Sequence, residues 1–341
     1  LPMAMPAYII AYTYTGLLDF TGPLQSWLRE TFDWGYGDYY FPRIRSLGGA
    51  VAMLSLVLYP YVYLLARVAF AEQSTALLEA SRNLGRGPWR TCFGVALPVA
   101  RPAIAAGISL ALMETLADYG TVDYFGVSAF TTGIFRTWYG LGELQTAAQL
   151  AACLLLFVFV LFTLERFSRR RMRFHHGSVR GRPARMELRG WRSAGATALL
   201  LAVVFSGFAL PAAQLALWVL AHWRQNIDAA FFSLAGNSFL LAAIASLCCL
   251  LVALLLGYGK RLYPGPMETS AVRVAAMGYA VPGTVIAVGV LIPFAWFDNR
   301  LDQFMRDQFD ISTGLLLSGT LVALVFAYVV RFLSVSLQAV E

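Results

Sequence analysis

Hydropathy divides the chain into long apolar runs separated by short polar stretches. A helix crossing the hydrocarbon layer of a bilayer needs about 20 mostly apolar residues. Eight windows approach that length, at roughly 1–18, 47–70, 102–117, 145–164, 195–220, 235–257, 271–296 and 313–335. The first is short and holds Pro2 and Pro6, and the third runs from Pro102 into Glu114 and Asp118. Prolines are tolerated in lipid where neighbouring helices satisfy the freed carbonyls. The pattern predicts an all-α fold, a polytopic membrane helical bundle.

Composition narrows the class. Of 341 residues, 59% are hydrophobic and 13% charged, against about 25% charged in soluble domains. That charge is too sparse to cover a water-facing surface, which excludes a large soluble enzyme, a disordered chain and a disulfide scaffold. Cys92, Cys153, Cys248 and Cys249 have no metal-ligand spacing, and three fall in apolar runs, where a thiol packs as a small hydrophobe. The chain opens without Met, already inside an apolar run, and is read as a fragment.

The formal charge of +7 would suggest nucleic acid in a soluble protein; here its distribution matters more. Loops alternate sides. The set 71–101, 165–192, 258–270 and the C-terminal tail carries 16 basic residues against six acids. The other set, 19–46, 118–144, 221–234 and 297–312, carries seven arginines against twelve acids. Arg and Lys are retained on the cytoplasmic side, so the first set is expected there. The net charge is a topology signal, and no nucleic-acid partner is expected.

One long polar interruption, residues 166–192, carries ten arginines and separates residues 1–165 from 193–341. It reads as a cytoplasmic linker and orientation anchor, or as a patch for anionic membrane lipid; His175 and His176 within it suggest no metal site. The flanking parts show matching features. Met5-Pro6-Ala7-Tyr8, an acidic loop and Tyr61-Val62-Tyr63 precede the linker. Val281-Pro282-Gly283-Thr284, a second acidic loop and Tyr328-Val329-Val330 follow it, displaced by about 267–276 residues. Two repeated halves are expected, a common way to build a path at their interface.

The stretch from Glu79 to Pro98 carries the most specific pattern. Ala76-Leu77-Leu78-Glu79-Ala80 favours a helix, Gly85 suits its end, and Gly87-Pro88 suits a new start; Leu97-Pro98 then leads into the next span. Glu79, Ala80, Ser81, Gly85, Val95, Leu97 and Pro98 fall in the register Glu-Ala-Ala, three residues, Gly, nine residues, aliphatic, one residue, Leu-Pro, with Ser81 for the second Ala. The chain thereby resembles the permease subunits of binding-protein-dependent ABC importers, with the type I (MetI-like) fold. The resemblance implies that residues 76–88 dock on a cytoplasmic ATP-binding ABC subunit, present as a dimer. Glu79, Ala80, Ser81, Gly85, Leu97 and Pro98 would then couple its closure to the membrane helices. Met113 to Val122 and Phe130 to Trp138 look like the fused two-half permeases of the iron(III) importer group. Each half there has its own coupling loop, and the second is expected about a dozen residues beyond Glu341. The resemblance further implies a bacterial inner-membrane location and a periplasmic or extracellular substrate-binding protein, for which the acidic loops 19–45 and 298–310 are candidate docking surfaces.

Glu114 is the one acid inside an expected span, with Asp118 on the same helical face. A carboxylate within the bilayer is a functional candidate, and hard cations prefer oxygen ligands. Glu114, Asp118 and Tyr119, with Tyr124 nearby, are candidates for the substrate path. The alternative is structural: Glu114 pairs with Arg67 or Arg331, and Asp118 sits at the interface. No Gly-x-x-x-x-Gly-Lys-[Ser/Thr] loop occurs, so ATP hydrolysis is expected on a partner. No catalytic residue, bound metal or cofactor is expected. Rival readings are a permease for thiamine, a polyamine or an oxyanion, a polytopic membrane enzyme, or a scaffold.

Overall fold

The computed structural model describes residues 1–35, 37–170, 188–263 and 265–340. Among these the regular structure is helical throughout. A single 3₁₀ turn, Pro2–Ala4, precedes α1 (Ala7–Leu18), α2 (Pro23–Phe32), α3 (Leu47–Ala71) and α4 (Thr75–Asn83). Then follow α5 (Pro88–Ala117), α6 (Gly120–Tyr124), α7 (Phe130–Phe135), α8 (Leu144–Arg170) and α9 (Trp191–Arg224). The chain continues through α10 (Ala229–Leu262), α11 (Pro266–Ala276), α12 (Gly283–Phe309) and α13 (Leu321–Val340). Most of the expected linker, including the His pair, lies outside the described residues.

Among the described residues, seven helices are long and apolar enough to cross a membrane: α3, α5, α8 over Leu144–Thr163, α9, α10, α12 and α13. The first of the eight expected windows yields only the 12-residue α1, because Pro6 forms the N-cap and the residues before it turn separately. The window 271–296 also divides. Gly278 opens a 3₁₀ turn through Ala280, and Pro282 caps α12, so the apolar run is shared between α11 and α12. The segment read as the second acidic loop, 297–312, is helical as far as Phe309.

Two compact units form. One comprises residues 1–129 and 159–220, the other 130–158 and 221–341. The first is centred on α3 packed along α5. Close approach is built in: a Cβ on Gly107 of α5 would lie 2.6 Å from Val62 Cα of α3. Ile10, Ala11, Ala50, Met53, Val57 and Phe125 bury a core beside this seam. The second unit packs α10 against α13, through Ala253, Leu333 and Leu337. Ile286 and Val290 of α12 pack against Ala323 of α13.

The turn joining α12 to α13 hangs on two carboxylates. Asp298 is fully buried and accepts from the Leu317 amide at 3.1 Å, and from the Ser318 amide and hydroxyl at 2.7 Å each. Four residues on, Asp302 accepts from the Thr313 and Gly314 amides at 2.8 and 3.1 Å and pairs with Arg306 at 2.7 Å. These groups do not form an open acidic docking surface, because they satisfy the backbone of their own turn. Glu30, Asp33, Asp38, Asp307 and Asp310 remain exposed.

Gly107→Val should force α3 and α5 apart and cost about 1–3 kcal/mol, read as a lowered midpoint of thermal unfolding in detergent. Asp298→Ala strands two buried donors of Ser318 at about 1–3 kcal/mol each, together with the Leu317 amide, and should lower that midpoint further than Asp307→Ala. Equal midpoints for the two aspartate variants would remove Asp298 from this role.

Candidate functional site: a helical knob and an acidic pocket

The first candidate is the exposed turn between α4 and α5. Helix α4 ends at Asn83 with Gly85 at φ +80°, a conformation glycine adopts without a Cβ penalty. The Arg86 amide donates to Ser81 O at 3.2 Å and the Gly85 amide to Arg82 O at 2.9 Å. This pair of bonds satisfies the last carbonyls of the helix in a Schellman arrangement. Gly87 caps the next helix, and Pro88 starts it with no amide to orphan. Helix α5 then runs on through a wider π-type turn over Cys92–Ala96, where the Leu97 amide donates to Cys92 O. The second arm of the knob is thus the start of a span, rather than a separate short helix.

Inside the knob, Ser81 is 5% exposed, and its Oγ lies 3.1 Å from Thr91 Oγ1. The Gln73 carboxamide donates to Ala96 O at 2.7 Å. Outside it, Glu79, Ala80 and Gly85 are exposed, and Leu97 and Pro98 are half-buried where the arm enters the span. Of the residues singled out from the sequence, Ser81 holds the two arms together and Glu79 and Ala80 face outward. Leu84 is 81% exposed, and Trp89, at 75%, stacks on Phe93 at 6.0 Å in an apolar crest. Sequence reasoning passed over Gln73, Thr91 and this crest; the i, i+4 spacing of Trp89 and Phe93 was the available signal.

The second candidate is a pocket of about 240 Å³ in the first unit, lined by Pro6, Leu54, Val57, Tyr61, Glu114 and Asp118 among others. The fold brings Glu114 and Asp118 together beside the N-terminal end of α1, whose partial positive charge favours nearby carboxylates. Asp118 lies just beyond α5, and its oxygens accept from the Thr121 and Val122 amides at 3.1 and 3.2 Å and the Thr121 hydroxyl at 3.0 Å. Burial pushes its pKa above the ordinary 3.8 and the nearby Glu114 charge adds to this; the hydrogen bonds oppose the rise without cancelling it. Tyr119 does not line the pocket. Tyr124 packs its ring against Tyr8 and Tyr12 at 5.6 and 5.9 Å, under the Arg45 guanidinium. Within their own units neither Arg67 nor Arg331 forms an ion pair among the described residues. The same residues contain no group of three His, Cys, Asp or Glu arranged to hold a metal.

Residues 1–174 match the family described as the binding-protein-dependent transport system inner membrane component, and the chain belongs to that family. It is 24% identical over 310 residues to the Fe(3+)-transport system permease protein FbpB 2 of Haemophilus influenzae, covering 89% of this chain and 56% of that protein. It is 26% identical over 163 residues to the molybdenum transport system permease protein ModB of the same organism, covering 47% of this chain and 68% of the relative. To the probable sulfate transport system permease protein cysT of Chlorokybus atmophyticus it is 31% identical, over 36% of this chain and 40% of that protein. The chain thus spans little more than half the length of the iron-transport relative. No solved structure gives a significant match.

The raised pKa of Asp118 means that the folded state binds its proton more tightly than the unfolded chain. Asp118 should therefore add stability as pH falls through that raised value, above 3.8. Asp118→Asn should remove this step while keeping an acceptor for α6. Asp118→Ala should lose the cap at about 1 kcal/mol. Thermal unfolding in detergent between neutral and acidic pH separates the three.

Proposed function

We propose that the chain is part of the membrane permease of an ABC importer, with its translocation path formed by the apolar helices. The knob between α4 and α5 couples that path to a separate ATPase. The observation that carries this reading is the knob itself. The Glu79-to-Pro98 register folds into two arms pinned by Ser81 and Thr91 and turned at Gly85, with Glu79, Leu84 and Trp89 all exposed. An exposed aromatic pair such as Trp89 and Phe93 has the chemistry of an interface anchor. Because the second arm of the knob is the start of α5, a displacement there has a direct route into the membrane. Charge asymmetry supports a cytoplasmic position for the knob and for the basic linker. The opposite loops would receive a substrate-binding protein, through exposed acids such as Glu30, Asp38 and Asp307. ATP hydrolysis belongs to the partner subunits.

For the cargo we favour iron(III). The relative named for Fe(3+) transport aligns with 89% of the chain, and the Glu114–Asp118 pocket offers hard oxygen ligands suited to a hard cation. An oxyanion is the second reading, supported by the molybdenum and sulfate permeases that align with shorter stretches.

Glu79→Arg and Gly85→Pro should abolish uptake and weaken ATPase association by about 30-fold, a hot-spot loss near 2 kcal/mol, while membrane insertion stays intact. Wild-type uptake by both variants would sink the coupling role. Glu114→Gln should lower uptake of radiolabelled iron by about tenfold, one lost charged ligand contact of some 1.4 kcal/mol, without changing ATPase association. Uptake of molybdate or sulfate in place of iron would transfer the cargo to the second reading.

A further inference from the structure

We infer that the second unit holds a binding site for a small oxyanion at the N-terminus of α12, formed with Arg331 of α13. This goes beyond the cargo assignment and stands whichever solute is carried.

The first turn of α12 has backbone donors left without a partner. Pro282 is the N-cap and provides no side-chain cap. The Val285 and Ile286 amides close back on Pro282 O, which leaves those of Gly283 and Thr284, with no acceptor among the described residues. Thr284 is only 5% exposed, yet its Oγ1 has no hydrogen-bond partner. The 27-residue helix adds the positive end of its dipole to these groups.

A guanidinium occupies the same place. A Cβ on Gly283 would lie 2.6 Å from Arg331 Nη1, so the absence of a side chain is what lets the arginine lie against the helix end. Gly278, in the preceding 3₁₀ turn, sits directly on the Val330 carbonyl and fixes the register of α13 there. Arg331 Nε is buried without a partner. The described residues of this unit offer the arginine no carboxylate, and its one ring contact is Phe332 at 5.7 Å.

The guanidinium with its unpartnered Nε, the two free amides and the helix dipole they head all carry positive charge or positive partial charge, and the buried Thr284 hydroxyl beside them has a proton to donate. Assembled without an anion they repel one another, and each unpaired group costs desolvation energy. A sulfate-, phosphate- or molybdate-like ion has several acceptor oxygens, enough to satisfy backbone amides, a hydroxyl and an arginine together. The first unit shows the contrasting arrangement, where the N-terminal end of α1 opens on a pocket that already holds Glu114 and Asp118. There the protein supplies the negative charge; at α12 it must come from a ligand.

The test is sulfate and molybdate binding to the intact permease in lipid nanodiscs, followed by thermal shift and titration calorimetry against chloride at equal ionic strength. Wild type and the control Arg67→Gln should bind both oxyanions. Arg331→Gln should weaken binding by about ten- to a hundredfold, the loss of one charged hydrogen-bonding group. Gly283→Ala should weaken it too, by displacing the guanidinium. Tryptophan fluorescence and size-exclusion profiles matching wild type establish that the variants fold. Absence of binding to wild type, or equal binding by wild type and Arg331→Gln, overturns the site. Neither result bears on the coupling knob, which is scored separately by ATPase association.

Discussion

A backbone amide or carbonyl in hydrocarbon must find a partner within the protein, and most of this structure follows from that requirement. Helices meet it along their lengths, and the difficulty lies at their ends. Several of these ends carry a specific device. Proline opens α2, α5 and α11 at positions where an amide would otherwise be orphaned. Gly85 closes α4 through two turn hydrogen bonds. Asp118 receives the amides of α6, and Asp298 those of the turn before α13.

The acidic residues accordingly divide into two populations. Asp298, Asp302 and Asp118 are committed to backbone donors and serve the fold. Glu79, Glu30 and Asp307 remain exposed. Sequence alone treated the two populations alike, since an aspartate in an acidic stretch has the same composition whichever way it turns. Asp118 caps α6 and also lines the pocket shared with Glu114.

The knob shows how a short motif becomes a defined local structure. Glycine at positive φ and proline at a helix start were legible, because each is a local conformational constraint. The pin between Ser81 and Thr91, ten residues apart, depends on how closely the two arms approach. The continuity of α5 through its π-type turn was hidden for a related reason. A one-residue change in hydrogen-bond register leaves the hydropathy unchanged.

By itself the sequence determined the class: helical, with runs long and apolar enough to cross a membrane, and a register that resembles its family. These properties depend on sums over windows and on local backbone preferences, which need no knowledge of distant neighbours. Tertiary structure alone decided that Asp298 is buried, that Glu114 and Asp118 share a pocket with the end of α1, and that Arg331 lies on Gly283 beside unpartnered donors. Such facts concern which side chains meet across helices. Helix packing sets them through ångström-scale approaches at Gly107, Gly278 and Gly283, where a single Cβ would change the outcome.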